Sequence, residues 1–260
     1  MTQENQTVPA PRLCPRGLAF YLYYFAKFME RELISYFTAG RNFLATEGFL
    51  FKLKILLDSG RFHQSELQGF VDAVQKSQWK IESLHIKIND VVDDDNSRTI
   101  ALEFTDSHKN EIFHLFYEAY TTISLYYENS KYFPDPLTEF HNFLSHMVSA
   151  WAALPGDKCK FSSNVQRGFN HLFRGALDIY KILIIREIHK ASGASLNKLR
   201  QLRQYECATI GKRHDDYAKR LINAYRKLFF EIADGPDGYK PTINGWVKLR
   251  KPLDEEAQLS

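Results

Sequence analysis

From Arg16 onward, apolar residues recur at three- and four-residue intervals with polar residues filling the remaining positions, the pattern of helices that bury one face. One helix is predicted from Arg16 to about Thr38, and a second from about Asn42 to Leu57, closed by Ser59-Gly60. Ser65 to about Ser77 continues the pattern. Thr105-Asp106-Ser107 supplies a cap for a helix reaching about Asn129. The stretch FPDPLTEF then restarts the chain sharply, with Asp135 as cap and Pro136 in the first helical position, and this helix stops at Leu154-Pro155-Gly156. Ser162 or Ser163 caps a long helix to Ala191, which Ser192-Gly193 ends. Ser195 opens a basic helical region interrupted at Gly211 and terminated by Asp234-Gly235-Pro236. The expectation is an all-α protein, a helical bundle of about seven helices.

One stretch reads two ways. In SLHIKINDVVDDDNSRTIALEF, Leu84, Ile86 and Ile88 alternate, as do Ile100, Leu102 and Phe104, and the DDDNS between them is turn-like, so a small β-hairpin insertion near 84–104 competes with helix. The aspartates Asp93 to Asp95 lack the glycine and closing glutamate of an EF-hand loop, which leaves a solvated turn rather than a calcium site. Four regions follow: a loose lead over 1–15 containing Pro9, Pro11 and Pro15, an N-terminal helical region over 16–135, a second helical region over 136–233, and an irregular tail over 234–260.

Composition adds compartment. With 44% hydrophobic and 14% aromatic residues in 260, the chain can build a substantial core. Three cysteines, Cys14, Cys159 and Cys207, in no repeated spacing, argue against a disulfide framework or a zinc knuckle. The polar start MTQENQTVPAPR has no signal-peptide order, and the apolar run from Leu18 to Ala26 is far shorter than the roughly 20 residues that span a bilayer. A cytoplasmic protein with no membrane anchor is expected, its aromatic stretch Phe20 to Phe25 forming a core or dimer helix.

Charge is unevenly distributed. Leu196 to Phe230 carries nine basic side chains against three acidic ones, a net +6 that leaves −3 for the rest of a +3 chain. That segment suits a polyanion partner, and it also suits an ordinary solvated helix. Arg167, His171, Arg174, Asp178 and Lys181 fall within roughly 80° on a helical wheel, opposite Phe169, Leu172, Leu177 and Tyr180. An amphipathic helix laced by pairs such as Arg174 with Asp178 accounts for the stripe. So does a polar cleft in which Arg167, His171, Arg174 and Lys181 hold phosphate and Asp178 orients a partner group. Gly168 and Gly175 beside it permit close approach of a neighbouring helix or ligand.

The polar cluster in FHNFLSHMVSAW, Phe140 to Trp151, is the other candidate. Asn142, His146 and Ser149 share one helical face, with His141 and Ser145 in the adjacent row. The two histidines are five residues apart, about 140° around the helix, whereas a zinc pair on one helix sits four apart, so no metal site is expected. No G-x-S-x-G elbow, Walker loop or G-x-G-x-x-G turn occurs in the chain, so hydrolase and dinucleotide readings lose their usual evidence. No cofactor is expected.

The string His141-Asn142-Phe143-Leu144-Ser145-His146 resembles the signature of HEPN domains. These are helical bundles in which an arginine, then a polar residue that is often asparagine, precedes a histidine. Asn142 matches the polar position and His146 the histidine, while His141 stands where the arginine is usual. The resemblance covers at most residues 136–233. It implies metal-independent RNA cleavage by dimers, with the histidine as acid or base and the arginine on the scissile phosphate. Many relatives in bacterial defence and toxin systems have lost catalysis and act as binding modules. Replacing arginine matters physically, because its planar fork grips phosphate at any physiological pH and a neutral histidine offers one donor. Three readings follow: a catalytically degenerate HEPN-like protein that binds RNA, nucleotide or a protein partner; a metal-independent ribonuclease using His146 with His141 or Arg174, Asn142 alongside; and a structural helical assembly protein. A homodimer or a helical partner fits all three.

Overall fold

The computed structural model describes residues 13–26, 44–60, 64–69, 95–126, 134–153, 156–209 and 215–233. These are all-α: α1 over 15–26, α2 Leu44–Ser59, α3 over 64–69, α4 Asp95–Thr105, α5 Ser107–Tyr126, α6 Pro134–Ala153, α7 Lys158–Glu187, a 3-10 turn Ile188–Lys190, α8 Gly193–Thr209 and α9 Asp215–Ala233. No strand occurs among the described residues, and no helix there is long and apolar enough to cross a membrane. The described parts of Met1–Phe113 and Tyr132–Gly175 form one compact unit, and those of His114–Lys131 and Ala176–Ser260 form another. The division falls within α5 and α7.

In the first unit, α1 is buried all round: Leu18 to Ala26 are each at most 5% exposed, as expected of a helix apolar on every side. Its rings meet Phe49 of α2 edge-on, Tyr21 at 5.6 Å and Phe25 at 5.4 Å between centroids, and the Tyr21 hydroxyl donates to the Phe49 carbonyl at 2.7 Å. Burial pushes the Tyr21 phenol well above its ordinary range, because no phenolate can be solvated there. Gly60, with φ 71, takes the left-handed conformation that closes α2, and its carbonyl receives the Cys14 N–H at 2.9 Å, tying the start of α1 to the end of α2. Both α2 and α4 pack on α6.

The hairpin expected near 84–104 is replaced by helix over its described part, 95–104; residues 84–94 lie outside the described set. The alternation misled because Ile100 and Phe104, four apart, are buried on one helical face, whereas Leu102 is 69% exposed. Other boundaries shift by capping. Asp106 caps α5 as expected, its Oδ1 accepting the Lys109 N–H at 3.0 Å. α6 starts at Pro134, so Pro136 lies inside its first turn. α7 starts at Lys158, capped by Asp157 through the Lys160 N–H at 2.8 Å, not by Ser162 or Ser163. α8 starts at Gly193, capped by Ser192, whose Oγ accepts the Ser195 N–H at 3.1 Å, so Ser195 lies inside the helix it was expected to open. The expected interruption at Gly211, the tail 234–260 and the lead 1–12 lie outside the described residues.

In the second unit, Tyr126 and Tyr180 contact Phe229 at 5.1 and 6.3 Å. Ile179, Leu183, Leu221, Ile222 and Ile232 complete an apolar centre. Within it Arg226 donates to Glu118, and the neutral Tyr180 phenol beside them is raised by burial and by the Glu118 charge. α8 lies antiparallel on α9: Ser195 near its start reaches Glu231, and Tyr205 near its end meets Tyr217.

Candidate functional site on the α6–α7 face

A missing side chain lets two helices of the first unit meet closely. A Cβ on Gly168 of α7 would stand 2.4 Å from Met147 Cε, 3.3 Å from Phe143 Cδ2 and 3.4 Å from His146 Cβ, all on α6. Phe143 and Phe169 pack edge-to-face at 5.3 Å beneath this crossing. Above it the imidazoles of His146 and His171 stack, 5.2 Å between centroids and 23° between planes.

Each imidazole is held by a different partner, and the partners fix its protons. The Asn164 side-chain amide donates to the Lys160 carbonyl at 2.9 Å, which turns its Oδ1 toward His146 Nδ1 at 3.0 Å. An amide oxygen only accepts, so His146 Nδ1 carries the proton and Nε2 keeps its lone pair when the ring is neutral. His171 Nδ1 donates to Glu139, whose carboxylate can also balance an imidazolium. The second Glu139 oxygen lies 3.9 Å from Nε of Arg174, whose side chain is mostly exposed. The site thus contains two imidazoles whose Nδ1 protons go to protein acceptors, an amide oxygen for one and a carboxylate for the other, and a guanidinium at the rim.

The structure gathers some of the sequence candidates and separates others. His146 stacks on His171, and Glu139 links His171 to Arg174. Arg167, one turn before His171, is exposed, and Asn142 is half-buried. His141 is buried, its ring 5.4 Å from Phe25 of α1, and its carbonyl accepts the Ser145 hydroxyl at 2.9 Å. It is 4% exposed, its ring set against the aromatic interior. In the second unit, Asp178 pairs with Lys181 at 3.2 Å, and Lys181 also donates to Glu206 at 2.6 Å, so its charge is engaged by two carboxylates.

Sequence reasoning missed Glu139 and Asn164. Each was legible as spacing: Glu139 lies seven residues before His146 on the same face of α6, and Asn164 seven before His171 on α7. In the second unit it missed Glu206, which accepts from Lys181, from Arg203 at 2.7 Å and from the Tyr225 hydroxyl at 2.8 Å. Burial pushes this carboxyl up, yet those hydrogen bonds and the Lys181 and Arg203 charges outweigh it and hold it below the usual range. The same carboxylate raises the Tyr225 phenol, together with burial.

No family model, no curated protein and no solved structure matches this chain. Among the described residues, no cluster of three or more His, Cys, Asp or Glu side chains is arranged to hold a metal ion.

Proposed function

We propose that this chain is a HEPN-like helical protein that binds RNA, and that the α6–α7 face receives a phosphate of the strand. The observation that carries the reading is the His146–His171 stack with Arg174 at its rim, since a guanidinium stands beside two imidazoles that donate from Nε2 once protonated, at a partly open surface. Arg167 stands exposed one turn away on α7 and adds a second guanidinium to the same helical face. His141 has no place in this reading, because it is enclosed against Phe25. A role in bacterial defence or a toxin system rests on the resemblance alone, and homodimer formation accompanies it.

The test is fluorescence anisotropy with a labelled single-stranded RNA. The double variant His146→Ala/Arg174→Ala is expected to bind about tenfold or more weakly, the loss of charge-assisted hydrogen bonds. Equal affinity of variant and parent overturns the reading.

The unlike partners of the two rings, an amide oxygen at His146 and a carboxylate that can balance an imidazolium at His171, favour a second reading, a metal-independent ribonuclease in which His171 rather than His141 partners His146. His146 Nε2 takes the proton of a ribose 2′-hydroxyl, the 2′-oxygen attacks phosphorus, and the His171 imidazolium gives its Nε2 proton to the departing 5′-oxygen. The products are a 2′,3′-cyclic phosphate and a 5′-hydroxyl. Cleavage that survives EDTA, yields the cyclic phosphate, follows a bell-shaped pH profile and is abolished in His146→Ala supports it; intact RNA leaves the binding reading standing alone.

A further inference from the structure

α8 is the most solvent-exposed long helix described. One row, Ser195, Leu199, Leu202 and Glu206 at intervals of four, three and four residues, turns toward α9, and most of the rest faces water. On a helical wheel Arg200, Gln204, Asn197 and Gln201 span about 100° of the outward side, with Arg203 on one flank and Tyr205 and Lys198 on the other. Glu206 is the only acid of α8, and it faces inward.

The same inversion recurs around it. Side chains of Glu187, Glu206 and Glu231 are 14%, 16% and 24% exposed, whereas those of Lys190, Lys198 and Arg203, which pair with them, are 48%, 55% and 51% exposed. In these three pairs the carboxylate is the inner partner and the cation the outer one, whereas Asp178 and Lys181 of α7 are arranged the other way. Arg200, Arg220 and Lys227 are exposed as well. Among the described side chains of α8 and α9, positive charge therefore lies outermost. Tyr205, 50% exposed, rests against Tyr217 with centroids 5.4 Å apart, leaving aromatic surface beside the cations.

We infer that the outward face of α8 is a docking surface for single-stranded nucleic acid. Cations meet the phosphates, Tyr205 offers a ring on which a base stacks, and Asn197, Gln201 and Gln204 offer paired donors and acceptors to base edges. A bilayer would need an apolar stripe where these amides stand. An acidic peptide would use the charge and leave the ring and amides unused. The choice of RNA as the polymer rests on the α6–α7 reading; the charge argument does not.

The full chain is titrated with a fluorescein-labelled 15-nucleotide oligouridylate over a salt series, with helicity of every variant checked by circular dichroism. Arg200→Ala and Tyr205→Ala are chosen because neither side chain belongs to the Glu206 or Glu231 ion pairs. Tyr205→Ala is expected to weaken binding about fivefold or more while Tyr205→Phe binds like the parent. Arg200→Ala is expected to flatten the slope of log affinity against log salt by about 0.7, one phosphate contact on a single strand. Unchanged affinity in both alanine variants overturns the inference, as does preference for duplex RNA or for phosphatidylserine vesicles over the single strand. If those variants bind normally while His146→Ala/Arg174→Ala fails, the α8 surface is refuted and the α6–α7 reading stands; the reverse result separates them the other way.

Discussion

Two helices of this protein are held in opposite ways. α1 is enclosed by apolar contact on all sides and makes edge-to-face ring contacts to α2. α8 presents only Leu199 and Leu202, both half-buried, as apolar inward anchors, and is fastened near each end by a carboxylate. Near its start Glu231 accepts from Ser195 at 3.1 Å and from Lys198 at 2.7 Å; near its end Glu206 accepts from Lys181, Arg203 and Tyr225. Area-based burial has no direction and little dependence on salt or proton concentration. Carboxylate clamps depend on both. The difference teaches that in one chain a helix can be fixed by volume and another by charge, and that the second kind answers to solution conditions.

The contrast can be broken most severely from the α1 side. Phe49→Ala removes a fully buried ring that both Tyr21 and Phe25 contact, and should cost about 3–5 kcal/mol, read as a lower urea midpoint. On the α8 side, Glu206→Gln keeps the shape and loses the charge that engages Lys181 and Arg203; a cost of about 1–2 kcal/mol is expected, with faster amide exchange in α8. Ser195→Ala, which removes a buried hydroxyl bonded to Glu231, should cost about 1 kcal/mol by the same readout. Lys198→Gln, at a mostly exposed pair, should cost less than about 0.5 kcal/mol. If Lys198→Gln proves as damaging as Phe49→Ala, the distinction between the two attachments fails.

Proton concentration sharpens the comparison further. The Glu231 carboxyl is lowered chiefly by the hydrogen bond from Lys198, with Ser195 adding to it, and Glu206 is lowered as described. A depressed folded-state pKa contributes stability that is fully present above the unfolded value, near 4.3 for glutamate, and is lost as pH falls from there through the folded value. Amide exchange of α8 should therefore quicken below about pH 4.3, and in 1 M salt at neutral pH, before that of α1 responds. Simultaneous release of both helices would contradict this.

Much of the helical order was legible because buried faces impose a period on the sequence. The start of α2, its end at Gly60 and the Asp106 cap follow from that period and from local capping chemistry. What misled was ambiguity of scale. Ile100, Leu102 and Phe104 satisfy a strand's period of two as well as a helix's four-residue repeat, and only the burial of the first and third decides. In the candidate site, the sequence put His146 on one helical face and His171 with Arg174 on another, and their meeting depended on how α6 and α7 cross. His141 reads the same as His146 in sequence; Phe25, more than a hundred residues away, encloses one of them. Lys181 and Arg174 looked alike as stripe cations, yet Glu206 engages the first and a 3.9 Å contact to Glu139 leaves the second at the rim.

The gap at position 168 lets α6 and α7 approach while contributing no side chain of its own. Because hydrogen replaces a methyl there, the carriers of the two rings settle at their observed spacing, and any larger residue must shift Met147 and crowd Phe143 and the root of His146. Volume added at that point meets the end of the Met147 side chain first and the Phe143 ring next, a pressure that ordinary alanine scanning of polar side chains would never apply.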